Sequence, residues 1–289
     1  MFKIFNEQFE EIPLPIDDLG YGLRGLDLNI SSVAQEVTEH NVQGLSGSIQ
    51  TGFRDASRDM NISARIKAKD KTDFRLKRDR VFAFFKQLGS FYITENTQGN
   101  KLMLVRVVDS YQFDRIPNSQ TYSIADIPLK IIGQPYWISR FKSTDLQKGI
   151  NFDGNWSFGM GLDVEPNKLN YEFSSSSFTL YNAGSVPIKT IQEKNHCIIT
   201  IEVKETVNNF LLRDAIGKRF EYNPNKQSNW TLNSGAKIIL NGHYISLNET
   251  SILERTNRYF PVILSGDNIF NVEGISKFLI TFDFRFKYY

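Results

Sequence analysis

The last thirteen residues, KFLITFDFRFKYY, place the hardest constraint on the fold. Phe278, Ile280, Phe282, Phe284, Phe286 and Tyr288 recur at every second position, so in an extended chain they share one face. A strand this apolar has to be paired along its edges and covered on that face. Left open, it would template aggregation. The same period of two recurs upstream. ISARIKAK (62–69) puts Ile62, Ala64, Ile66 and Ala68 on one side, with Ser63, Arg65, Lys67 and Lys69 on the other. HCIITIEV alternates Cys197, Ile199, Ile201 and Val203. KLMLVRVVDSYQFDRI and YSIADIPLKIIG supply two or three further strands up to Gly133. In AKIILNGHYISL, Asn241-Gly242 between two alternating runs signals a tight hairpin. The fold class is mainly β.

One segment breaks the pattern. In DFRLKRDRVFAFFKQLGSFYI (73–93), Val81, Phe84, Phe85 and Leu88 recur at three- and four-residue spacing, which predicts a helix over about 74–88. Thr72 or Asp73 is placed to cap its start and Gly89 to end it. Arg75, Lys77, Arg78 and Arg80 crowd its N-terminal half, the wrong end for the helix dipole, so a partner or nearby acids must compensate them. From Arg65 to Arg80 eight basic side chains face three acidic ones. A nucleic-acid grip wants such residues on one exposed face with aromatics free to stack on bases. Here the aromatics sit at core spacing and part of the charge alternates along a strand, which favours a solvated or subunit-facing role. A membrane-surface helix is disfavoured, because its charge does not lie opposite its apolar stripe.

Composition narrows the function classes. The 289 residues carry 34 basic and 32 acidic side chains, which gives no global reason for binding nucleic acid or membrane. The 23 phenylalanines suit β-sheet cores or subunit contacts. Cys197 is the lone cysteine, which rules out an intramolecular disulfide or a cysteine-based zinc site. It reads as a buried thiol, since the adjacent His196 points to the opposite strand face. No signal peptide and no spanning helix are evident, so the expected product is soluble and synthesised in a bacterial cytoplasm, and sequons such as Asn155-Trp-Ser carry little meaning.

Catalytic signatures are missing. His40, His196 and His243 are scattered without metal-ligand spacing, and no phosphate loop, nucleophile elbow or zinc-protease motif is present. FGMGLD (158–163) lacks the strand-turn-helix setting of a dinucleotide fingerprint and reads as a turn. Asp17-Asp18 and Glu10-Glu11 are paired only in sequence, whereas hydrolysis needs carboxylates facing across a cleft. No catalytic, cofactor-binding or metal residue is assigned, and the chain is expected not to be an enzyme.

GQPYWISRFKSTD (133–145) marks a change of region: Gly133 and Pro135 end the first strand run, and a second β-rich stretch starts near NWSFGMGLDVEP. The serines 174–177, flanked by Tyr171, Phe173, Phe178 and Leu180, read as small residues within or between strands. Two domains follow, 1–137 and 138–289, with the final strand open to either.

The order of elements resembles the distal tail protein of long, non-contractile-tailed phages infecting Gram-positive bacteria. The resemblance starts at GLSGSIQTGFRDASRDMNISARIKAKDKTDFRLKRDRVFAFFKQLGSFYI, with a glycine-containing turn, the pair Arg58-Asp59, an alternating strand, a helix and an aromatic strand. PLKIIGQPYWIS looks like the family's interdomain exit. Tyr181-Asn182-x-Gly184 before Pro187, then Gly266-Asp267-Asn268 and the alternating last strand, look like its outer sandwich. Residues 1–45 and 205–235 carry little of the likeness, and FLLRDAIGKRFEYNPNKQSNW is read as a lineage-specific loop.

The resemblance implies an N-terminal sheet or barrel-like ring domain with a packed helix, and a C-terminal galectin-like β-sandwich, a label for a fold rather than for sugar binding. It implies a homohexameric ring at the virion tail tip, joining the tail tube protein to the tail-tip protein and carrying receptor-binding proteins, with no membrane partner and DNA only in transit. Arg65, Lys67, Lys69, Lys77, Arg78 and Arg80 are then candidate subunit or lumen contacts. The rival reading is a carbohydrate-binding module for host cell-wall glycans, stacking sugar on Trp156 or Trp230. A wall-degrading enzyme is the third.

Overall fold

A computed structural model describes residues 1–44, 46–117, 119–148 and 165–289. The Asn155 sequon, Trp156 and the FGMGLD turn lie outside the described residues. The chain divides into two compact units, Met1–Trp137 with Tyr289, and Ile138–Tyr288.

The first unit contains β1 (Phe2–Phe5), β2 (Glu11–Ile12), β3 (Gly22–Ile30), β4 (Gln35–Asn41), β5 (Ser48–Asp55), β6 (Met60–Lys67), α1 (Lys71–Leu88), β7 (Ser90–Glu95), β8 (Lys101–Arg106), β9 (Asp114–Arg115) and β10 (Tyr122–Ile131). Antiparallel pairing runs β2-β1-β7-β8-β10-β6-β3, with β9 on β10. β6 is paired on both edges, by β3 and β10, and its alternation is carried through: Ile62, Ala64 and Ile66 are fully buried and Ala68 nearly so. Gly25 on β3 is needed for close packing, because a Cβ there would lie 2.6 Å from the ring of Phe2.

α1 packs against β3 and β6 and buries Phe74, Val81 and Phe85, whose ring meets Phe91 of β7 at 6.2 Å. Burying each such side chain contributes about 1.5–3 kcal/mol. The helix starts three residues earlier than the apolar stripe suggests. Its N-cap is Asp70, whose carboxylate accepts from the backbone N–H groups of Thr72 and Asp73 at 2.8 and 2.9 Å, so neither Thr72 nor Asp73 is the cap. An aspartate ahead of both reaches the orphan N–H groups first. Gly89 ends the helix at φ 66°, as its position predicts.

The second unit holds β11 (Trp137–Lys142), α2 (Ser143–Gln147), β12 (Glu172–Phe173), β13 (Ser177–Asn182), β14 (Ile188–Lys189), β15 (Cys197–Val203), β16 (Phe210–Arg213), β17 (Arg219–Tyr222), β18 (Lys237–Asn241), β19 (Tyr244–Leu247), β20 (Thr250–Ser251), β21 (Val262–Ile263), β22 (Gly266–Glu273) and β23 (Phe278–Tyr288). One sheet runs β11-β23-β15-β18-β19-β20 with β12 also on β23; the other runs β13-β22-β16-β17. Between them Phe173, Phe178, Phe270 and Phe282 form one aromatic cluster, with Phe178 stacked on Phe173 at 4.1 Å and Phe270 5.1 Å from Phe282. This is a β-sandwich core, and every alternate side chain of β23 from Phe278 to Tyr288 is buried. Asn241-Gly242 turns between β18 and β19, with Asn241 opposite Tyr244.

The segment read as a lineage-specific loop folds differently. It supplies the β16-β17 hairpin of the second sheet, with Phe210, Phe220 and Tyr222 buried. Asp214 at its turn accepts from the backbone of Ile216 and Lys218 and so closes it. Asn182 and Asn268 act as buried brackets. Asn182 accepts from Gly184 N–H and donates to the Leu264 carbonyl, and Asn268 accepts from Leu264 N–H and donates to the same carbonyl.

Candidate assembly interface

The six basic residues singled out by the sequence divide by environment. Lys77 is largely covered and is held by Asp17, at 2.9 Å, and by Asp73, at 3.7 Å. That hydrogen bond from Lys77, aided by the Tyr21 and Leu19 backbone N–H groups, keeps the Asp17 carboxyl below its usual range. Lys67 and Lys69 both lie over the Tyr21 ring, at 5.2 and 5.6 Å, and Arg65 lies over Tyr122 at 5.6 Å. Arg78 pairs with Asp79 and covers Phe82 at 5.8 Å. Arg80 is exposed. The N-terminal crowding of charge on α1 is therefore compensated in part within the unit, by Asp70, Asp73 and Asp17. What stays open is a stripe of Lys71, Arg75, the half-exposed Arg78 and Lys86, at helical spacing on one side of α1.

At the end of that stripe lies a cavity of about 250 Å³, lined by Phe82, Phe85, Lys86 and residues 107–111. Phe82 meets Tyr111 edge-on at 5.3 Å and Phe113 at 6.1 Å. The Tyr111 hydroxyl is buried without a hydrogen-bond partner, and burial pushes it up to about 12. Val108 on the rim is 52% exposed.

The hairpin β4-β5 is the feature the sequence left unread. Its strands pair only with each other, from Gln35 opposite Asp55 to Asn41 opposite Ser48, with a register shift after Thr38. Every residue of the two strands is exposed except the half-buried Asp55, which accepts from the Tyr136 hydroxyl at the base. Val37 stands opposite Phe53, and Phe53 is 75% exposed. Glu36 binds Arg54 across the strands. The only signal available was SIQTGFRD, where a lone phenylalanine sits among polar neighbours.

Arg58-Asp59 braces the start of β6: Arg58 Nε donates to the Ser31 carbonyl at 2.8 Å, and Asp59 N–H donates to Ser31 Oγ at 2.9 Å. In the second unit Cys197 is fully buried, with burial pushing its thiol well up, which removes it as a nucleophile at neutral pH. Beside it the ion pair of Lys287 and Glu193 is almost completely buried. Trp230 is half-buried with the Arg255 guanidinium over its ring at 5.9 Å, so that face is not a bare sugar platform. Among the described residues no His, Cys, Asp and Glu group is arranged to hold a metal, and no helix is long and apolar enough to cross a membrane.

Residues 26–125 match the family described as the phage tail protein RIFT-related domain. No curated protein matches the chain. Among solved structures, the chain is similar to the Dit protein of phage SPP1, described as a paradigm of the hub adsorption apparatus in phages infecting Gram-positive bacteria. The TM-score is 0.65 at 9% identity, over 99% of each chain, so the two share a fold. A chain of the activated phage p2 baseplate with Sr aligns over 98% of this chain and 97% of its own, at 10% identity and a TM-score of 0.39.

Proposed function

We propose that this protein is a structural, non-enzymatic component of a phage tail tip, assembling as a closed ring of six copies that joins the tail tube to the tail-tip and host-recognition proteins. The observation that carries the reading is the coincidence of two independent likenesses. Residues 26–125 match a phage tail family, and the fold of the whole chain is that of a phage hub protein. The physical features agree with it. The first unit presents an unsupported hairpin and an aromatic cavity built from different residues. A knob and a hole at separate places make a head-to-tail contact, which closes into a ring when the rotation permits. In this reading residues 1–137 form the ring, 138–289 carry the outer galectin-like sandwich, and the virion tail tip is where the protein works. The exposed Arg75 and Arg80 and the half-exposed Arg78 face subunit neighbours or the lumen, where transit of DNA requires weak contact only.

Negative-stain imaging of the purified protein tests this: annular particles of one diameter are expected. Discrete monomers that bind purified cell-wall glycan would instead favour the carbohydrate-binding module.

A further inference from the structure

The hairpin Gln35–Asp55 raises a physical problem. A two-stranded hairpin is marginal in water without a sheet or helix beneath it. This one nevertheless displays Phe53, 75% exposed, with Val37 at 46% opposite it. Ile49 at 50% and Val42 at 46% are exposed on the same hairpin, and apolar side chains gathered on one element, unlike a single scattered one, mark a contact surface. Its charge selects the partner. Between Gln35 and Asp55 there are three acids, Glu36, Glu39 and Asp55, and one base, Arg54, for a net −2. Along α1, Lys71–Leu88, there are six bases and two acids, for a net +4. The basic stripe of α1 ends at the cavity between Phe82, Phe85 and Tyr111. At about 250 Å³ that cavity exceeds the roughly 150 Å³ in which a benzene ring is accommodated.

We infer that the hairpin of one copy docks on α1 of the next copy, seating Phe53 in the Phe82-Phe85-Tyr111 cavity with its acidic side chains against Arg75, Arg78 and Lys86. The occupant is thus a second copy of this chain. The contact also supplies what each half lacks: support under the hairpin, and an aromatic filling for the cavity beside Phe82 and Phe85. The inference rests on the ring reading and specifies which surfaces make the ring.

Four proteins test it, by native mass spectrometry over a concentration series and by oxidative cross-linking: wild type, Phe53→Asp, the double variant Phe53→Cys with Val108→Cys, and its control Phe53→Cys with Ile269→Cys. Wild type is expected to assemble, and Phe53→Asp to raise the concentration needed by about thirty-fold or more, the size of an interface hot spot. The cysteine pair is expected to give an intermolecular disulfide ladder under mild oxidation, while Phe53→Cys with Ile269→Cys gives none. Phe53 is exposed, so an unchanged far-ultraviolet spectrum confirms that Phe53→Asp folds. If wild type assembles and Phe53→Asp assembles equally well, the hairpin contact is wrong while the ring stands. A ladder from the Ile269 pair in place of the Val108 pair overturns the proposed seat. Wild type that stays monomeric throughout, with no ladder from either pair, removes both.

Discussion

The final strand β23 and the hairpin β4-β5 are built from the same local structure and meet opposite ends. In β23 the apolar face from Phe278 to Tyr288 is buried, and its neighbours β11 and β15 pair both edges. In β4-β5 every residue but one is exposed and each strand has a single partner. Backbone pairing is satisfied in both. The difference lies in what covers the side chains. Most of a sheet's stability comes from cross-strand and face packing, so β23 sits in a covered core while the hairpin's side chains have no cover within the chain. In the proposed ring, the neighbouring copy supplies that cover.

Substitutions sharpen this contrast, beginning with those expected to act most strongly. Phe282→Ala opens the junction of the four-phenylalanine cluster and is expected to destabilise by about 3–5 kcal/mol in urea denaturation. A loss under 1 kcal/mol would mean the sandwich core is not self-sufficient. Glu193→Ala strands the buried Lys287 ammonium, which burial already holds below its usual pKa, and should cost about 3–5 kcal/mol. Adding Lys287→Met should recover much of that loss, because the unpaired charge is then gone. Asp70→Ala removes the α1 cap and is expected to cost about 1 kcal/mol, measured in the same way.

A smaller effect depends on pH. His196 is held below its ordinary 6.5 by burial and by Arg285, against the opposing charge of Glu193. The unfolded chain therefore takes up this proton first as pH falls. The stability is full above about pH 6.5, declines as pH drops toward the folded pKa, and levels off below it. His196→Gln should flatten that slope in melts between acidic and neutral pH. At the bottom of the scale, Phe53→Ala is expected to leave the stability of the single chain within about 0.5 kcal/mol, as for an exposed site, while weakening assembly. A large loss in the isolated chain would show that the hairpin is supported internally after all, which breaks the contrast.

Much of this was legible in the sequence where side chains repeat at the period of their element. The β6 alternation, the Val81-Phe85 stripe, the Asn241-Gly242 turn and β23 all fall in that class. The rest depended on competition or distance. Asp70 outcompetes Thr72 and Asp73 as cap because it lies two and three residues ahead of them and accepts from both of their N–H groups, a choice spacing alone does not make. The β16-β17 hairpin hid within a polar stretch, since Phe210, Leu212, Phe220 and Tyr222 are separated by the turn at Asp214. For the basic residues, sequence showed an excess of charge. It did not show that Lys77 is tied to Asp17, sixty positions away in the chain, or that Tyr21 underlies Lys67 and Lys69. The β4-β5 hairpin buries no apolar face within the chain, so its strands carry no buried period to read.

The most direct test of the ring is the native mass of the purified protein, followed by light scattering across a wide concentration range. The expected result is one closed species near six times the 33.3 kDa chain mass, its subunit number constant as concentration rises. A strict monomer at every concentration, or an open series growing without limit, would contradict a closed ring.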